Sequence, residues 1–256
     1  MQLNHAITMN SSRQTKAHQE NGLQILSLST LKPARNKPLR IQVTLLDGRT
    51  LLLAPEIVIR EKLAAGKSLP DEQAWLQLAA QQAQWDARTR LIAYLTTRRK
   101  SRAEADQYLR RHGFPEEARN HALEAALALG YLNDQLYAQA LAQSLDRGRK
   151  QGPRAIQAAL RQKGVAKDHI DPAVEPLTPH EIQYPKAYQW ALRRWESWAK
   201  TKSDPTKNKK RLIDMLLRRG YSSTVAYKVL QNLTTNNDDT SYEVEEMELE
   251  PPDDDP

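Results

Sequence analysis

The sequence predicts a mainly α protein, built as three tandem three-helix repeats in an elongated, curved array behind a small β-hairpin and helix extension. Three observations carry that expectation. Short amphipathic helices stop at glycine three times, with Leu109-Arg-Arg-His-Gly113-Phe114 matching Leu160-Arg-Gln-Lys-Gly164-Val165 and Leu216-Leu-Arg-Arg-Gly220-Tyr221. Apolar residues recur at fixed offsets from the glycine: Ala105, Ile156 and Leu212 eight before, Leu109, Leu160 and Leu216 four before, and Leu123, Val174 and Leu230 ten after. The repeat length of about fifty residues is that of a stacked array, in which each unit covers the apolar face of its neighbour.

Residues 1–38 are polar, with scattered Ser, Asn, Gln and Lys, and are expected to be a disordered tail. Residues 39–84 are expected to form the extension. Ile41, Val43 and Leu45 alternate with polar residues, Asp47-Gly48 suits a type I′ turn, and Thr50–Leu53 returns. A helix near Glu56–Ala65 closes at Gly66, and Ser68-Leu-Pro-Asp opens another reaching about Gln84.

Repeat 1 is expected over 85–131. A long helix spans Asp86 to Arg99, and Ser101 with Glu104 then forms a capping box. Ala105, Tyr108, Leu109 and His112 follow as one apolar stripe. Gly113 ends that helix in a left-handed cap, and Pro115 with Glu116 and Glu117 starts the next. Repeat 2 is expected over 132–178, with its long helix near Asn133–Lys150 and a break at Gly152-Pro153. Repeat 3 is expected over 179–235, its long helix starting at Pro185 after the proline-rich stretch Asp171–Pro185, which predicts a kinked junction. Residues 236–256 form an acidic tail that should not fold by itself.

Charge divides the chain. Of its 31 acids, ten lie in residues 236–256, which hold no base; the first 235 residues carry 38 bases against 21 acids. The bases recur at equivalent places. Arg98, Arg99, Lys100 and Arg102 crowd the turn before the middle helix of repeat 1. Arg147, Arg149, Lys150 and Arg154 do so in repeat 2, and Lys207, Lys209, Lys210 and Arg211 in repeat 3. A second set follows the middle helices: Arg110 and Arg111, Arg161 and Lys163, Arg218 and Arg219. Any one cluster is an ordinary solvated face. Recurrence in all three units predicts a continuous basic stripe suited to a polyanion or to an acidic partner groove.

Other motifs point elsewhere. Gly66-Lys67-Ser68 lacks the upstream glycine of a phosphate loop, since Glu61 stands there. His112, His121, His169 and His180 have no metal-ligand spacing, so neither metal nor cofactor is expected, and no catalytic constellation stands out. The cluster Tyr184, Tyr188, Trp190, Trp195 and Trp198 reads first as core and second as a base-stacking platform, with Trp190 the least firmly core. No cysteine and no long apolar run predict a cytoplasmic protein without membrane spans.

The ordered motifs together resemble the RecX regulatory proteins. They comprise Ser101 to Phe114, Gly130-Tyr131-Leu132-Asn133-Asp134 with Tyr137-Ala138, Gly152-Pro153-Arg154, and Leu160 to Val165. Asn133 departs from the acidic residue usual there, as does the proline-rich junction. The resemblance implies a monomeric, non-enzymatic modulator that binds RecA–single-stranded DNA filaments and restrains strand exchange and ATP hydrolysis. It touches the strand directly or through RecA. The alternative is a RecA-independent, sequence-nonspecific DNA- or RNA-binding repeat protein using the same bases.

Overall fold

A computed structural model of the chain describes residues 23–32, 38–200 and 204–235. The acidic tail and most of the N-terminal tail lie outside the described residues. The chain divides into two compact units, one ending at Tyr137 and one beginning at Ala138.

The first unit opens with three antiparallel strands in the order β1 (Ile25–Leu31), β2 (Arg40–Leu45), β3 (Thr50–Leu53). The expected tail to residue 38 is therefore corrected at Ile25–Leu31, and the expected hairpin is two-thirds of a sheet. Strand β1 escapes a periodicity reading because only Ile25 is buried, while the Ser and Thr positions face outward. The Asp47-Gly48 turn also differs from type I′. Only Gly48 is left-handed, at φ +89°, because the Asp47 carboxylate accepts the Arg49 N–H at 3.0 Å and holds a different turn.

Helix α1 (Pro55–Arg60) is shorter than expected, ending where Lys62 turns left-handed at φ +48°. Helix α2 (Glu72–Leu95) replaces two expected helices. No glycine or proline interrupts it, and Gln82 donates to Asp86 one turn later at 2.8 Å. Its first half covers the sheet through Trp75 and Leu78; its second half packs Ala87, Leu91 and Leu95 against the first triplet. Gln82 ties the halves together by accepting the buried Ala54 N–H at 2.7 Å.

The middle and last helices of that triplet are α3 (Arg102–Arg111) and α4 (Glu116–Ala128). The expected capping box is present at Ser101 and Glu104, and Pro115 caps α4 rather than opening it. The second unit holds α5 (Asp134–Arg149, its first turn belonging to the first unit), α6 (Pro153–Gln162), α7 (Lys167–Val174), α8 (His180–Lys200), α9 (Pro205–Arg218) and α10 (Ser223–Thr235). Helix α8 starts five residues earlier than expected and carries Pro185 inside it. A short 3-10 turn, Glu175–Leu177, separates it from α7.

The repeated glycines show why the three copies share a pattern. Gly113, Gly164 and Gly220 are left-handed, at φ +78°, +70° and +84°. In each copy the glycine N–H bonds back to the third residue before it (Arg110, Arg161, Leu217), and the next N–H bonds back to the leucine (Leu109, Leu160, Leu216). This paired closure brings the residue after the glycine over that leucine. Phe114, Val165 and Tyr221 therefore occupy an apolar column, and each leucine is fully buried.

Nothing lies within 4 Å of a Cβ built on Gly113. Gly113→Val is therefore expected to cost more than ~1 kcal/mol from left-handed strain alone. Urea unfolding measures it; an unchanged midpoint would rule out the left-handed cap.

Candidate functional site

The described bases differ in how far they reach water. Arg98, Arg99, Arg102, Arg110, Arg111, Arg147, Arg154, Arg161, Lys163, Lys207, Lys210, Arg211 and Arg218 are exposed; Lys150, Lys209 and Arg219 are half-buried. The Arg149 side chain lies outside the described residues. Lys100 corrects its group. It is 5% exposed, with its ammonium 4.9 Å from the centre of the Tyr94 ring. Tyr94 in turn stacks on Tyr108 at 3.9 Å. Its aliphatic stem and the aromatic face bury Lys100 in the first unit, so it offers no free charge to a ligand.

Helix ends place the second basic set. Arg110, Arg111, Arg161 and Arg218 stand in last turns, where the orphan carbonyls favour cations. Of the first set, Arg98, Arg99, Lys100 and Lys150 stand on the turns before the middle helices. Arg102 opens α3, Arg147 and Arg149 end α5, Arg154 lies in the first turn of α6, and Lys207, Lys209, Lys210 and Arg211 lie within α9.

In the second unit these positions converge. The loop Lys150–Gly152 lies against the turn Arg219–Tyr221: the Gly152 N–H donates to the Arg219 carbonyl at 2.7 Å and the Arg154 N–H to the Gly220 carbonyl at 3.2 Å. The Tyr221 hydroxyl donates to the Lys150 carbonyl at 2.8 Å, and Arg219 does so at 3.3 Å. Held this way, Lys150 adopts φ +48°, a backbone state that residues other than glycine seldom take. Burial pushes the Tyr221 hydroxyl up to about 12, so it remains a donor at neutral pH.

Beside this junction opens a cavity of about 560 Å³ whose walls include Lys150, Gln151, Trp190, Arg193, Arg218 and Arg219. Among the described residues its lining contains no carboxylate. The Arg219 guanidinium lies 4.1 Å from the Trp190 ring centre, and that of Arg194 lies 5.5 Å from it. Desolvation, with repulsion from Arg194, lowers the pKa of Arg219 from the ordinary arginine value. Asp146, whose charge is felt at Tyr221, is engaged: both its oxygens accept from Lys186, at 2.6 and 2.7 Å.

Of the aromatic cluster, Trp198 is buried, while Tyr184, Tyr188, Trp190 and Trp195 pack half-buried on the α8–α9–α10 core. Core is thus the main role, with Trp190 at its edge. Arg193 and Arg194 were absent from the basic sets because they break the repeat register. The signal that marks them is their spacing, three and four residues after Trp190 on one helix face. Among the described residues no group of His, Asp or Glu is arranged to hold a metal. No described helix is long and apolar enough to cross a membrane.

Comparison with known proteins extends this picture. Residues 133–174 match the model for the RecX second three-helix domain, and residues 181–230 match that for the RecX third three-helix domain. The regulatory protein RecX of Thermobifida fusca is 35% identical over 146 residues, covering 57% of this chain and 77% of that one. Its counterpart in Streptomyces coelicolor is 34% identical over 157 residues, covering 61% and 82%. A crystal structure of a regulatory protein RecX superposes with a TM-score of 0.66 at 22% identity, covering 82% of this chain and 98% of that one. RecX from Lactobacillus salivarius gives 0.54 at 19% identity, covering 60% and 97%. At such identities the two structures speak for the fold.

Proposed function

The chain belongs to the RecX family of regulatory proteins, and from that premise we propose that it is a non-catalytic inhibitor of the RecA recombinase. It binds RecA–single-stranded DNA filaments in the cytoplasm, as a monomer, and so bears on DNA recombination, repair and the SOS response. The observation that supports this reading most is the recurrence of exposed bases on helix ends and interhelical turns in every triplet. A filament is itself a repeating polyanion, so equivalent charges on successive units can meet equivalent sites.

Two comparisons test it. Affinity for RecA-coated single strands should exceed that for bare strands; equal affinity would favour the RecA-independent nucleic-acid binder instead. Salt dependence addresses how the charge is used. Each lost phosphate contact on a single strand reduces the log–log salt slope by roughly 0.7. Arg98→Ala with Arg99→Ala, and separately Lys207→Ala with Lys210→Ala, should each flatten the slope by about 1.4. Flattening by only one pair would contradict binding spread over both units.

A further inference from the structure

We propose that the cavity beside the Lys150–Gly152 junction is a nucleotide pocket, which takes one phosphate and its base from a single strand. The proposal deepens the reading above by giving the nucleic acid one discrete seat, in addition to contacts spread over the surface.

Four observations point to a ligand. Lys150, Arg193 and Arg218 gather on the cavity walls with no carboxylate among the described lining residues, so like charges converge where an anion would be favoured. Trp190 and Arg219 form a cation–π pair on the same wall, and bases stack on indole and guanidinium planes alike. The side-chain oxygen of Gln151 is buried without a hydrogen-bond partner, a state that costs free energy until a donor arrives. Finally, Lys150 is held in a strained left-handed conformation by Tyr221 and Arg219, which fixes the cavity rim.

Together these groups discriminate among anions. A bare phosphate would satisfy the cations but offers no ring to Trp190 and no N–H to Gln151. An acidic peptide brings carboxylates to the cations and no base plane. A nucleotide supplies all three: phosphate oxygens, a flat π-face, and a ring or exocyclic N–H donor. The volume, about 560 Å³, lies within the ~300–1,000 Å³ range of small-ligand sites.

The test compares a short oligothymidylate, an abasic oligomer with the same number of phosphates, and dTMP, each titrated against the full chain. Trp190→Leu is expected to weaken the oligothymidylate about tenfold, the scale of one lost stacking contact, and to leave the abasic oligomer unchanged. Arg218→Gln should weaken both oligomers equally, because it removes only a phosphate contact. Arg90→Gln, an exposed base outside the basic sets, controls for net charge and should have less effect than Arg218→Gln. If Trp190→Leu lowers the melting temperature, Gln151→Leu replaces it and should also weaken only the base-bearing oligomer. Equal loss of both oligomers with either variant, or no loss with both, overturns the pocket. Displacement by polyglutamate that depends on Trp190 would assign the cavity to acidic protein. Binding of dTMP tighter than the oligothymidylate would assign it to free nucleotides.

None of these titrations contains a recombinase. A failed pocket beside intact RecA inhibition overturns this inference alone; a working pocket in a chain that leaves RecA unaffected overturns the regulator reading alone.

Discussion

Gly152→Ala is expected to destabilise the second unit by about 3 kcal/mol or more, the upper end for overpacking plus the loss of buried N–H bonds. The backbone at Gly152 is extended (φ −75°, ψ 166°), a conformation alanine adopts freely, so no conformational strain enters. The cost is steric. A Cβ at this position would lie 2.4 Å from the carbonyl carbon and oxygen of Gly220 and 2.5 Å from the Tyr221 nitrogen. These are backbone atoms of a turn already closed by its own bonds, so they cannot rotate away. The loop must lift, and the Gly152–Arg219 and Arg154–Gly220 bonds break with it. Gly148→Ala, where the added methyl meets nothing within 4 Å and the backbone is not left-handed, separates this clash from a general cost of losing glycine. Urea unfolding followed by helical circular dichroism checks both. A Gly152→Ala chain as stable as the parent would contradict the close approach of the second and third triplets.

Lys186→Met is expected to cost about 2 kcal/mol, lower than the 3–5 typical of a broken buried pair because the lysine is partly hydrated. The Asp146 side chain is 11% exposed and that of Lys186 33%. Removing the ammonium leaves the carboxylate desolvated with its main cation gone, at the place where α5 meets α8. Replacing both residues, by Asp146→Leu with Lys186→Met, should recover most of the loss, since two apolar side chains of similar size need no counter-charge. Thermal unfolding of the single and double variants decides this. A double variant no more stable than Lys186→Met would show that the pair acts through something other than mutual charge compensation.

What could be read from the sequence follows from how local each determinant is. The paired closure around Gly113, Gly164 and Gly220 needs a glycine, a leucine four before it and an apolar residue after it, so a few contiguous letters specify it. The capping box at Ser101 is equally local. Strand β1 is not, because its pairing partner β2 begins nine residues after it ends, and its own face is only partly buried. Pro185 looked like a helix start, yet Pro179 accepts the Ile182 and Gln183 N–H groups and begins the turn earlier.

The candidate site divides in the same way. The bases at helix ends recur with the repeat and were legible. The loss of Lys100 to the Tyr94 face was not, because it depends on which way one side chain folds back across a turn. The cavity joins residues about forty and seventy positions apart, Lys150 with Trp190 and with Arg219. It also depends on two glycines whose lack of a side chain lets backbones touch. Only the packed structure displays that juxtaposition.

The DNA-dependent ATPase of RecA, measured as purified chain is added at well below one copy per RecA, tests the proposed regulation most directly. A filament regulator working through repeated contacts should depress the rate substoichiometrically, and added salt should relieve the inhibition as the exposed bases are screened. An ATPase rate unchanged even with the chain in excess, under conditions where it binds single strands, would contradict regulation of RecA and leave a nucleic-acid-binding protein of the same fold.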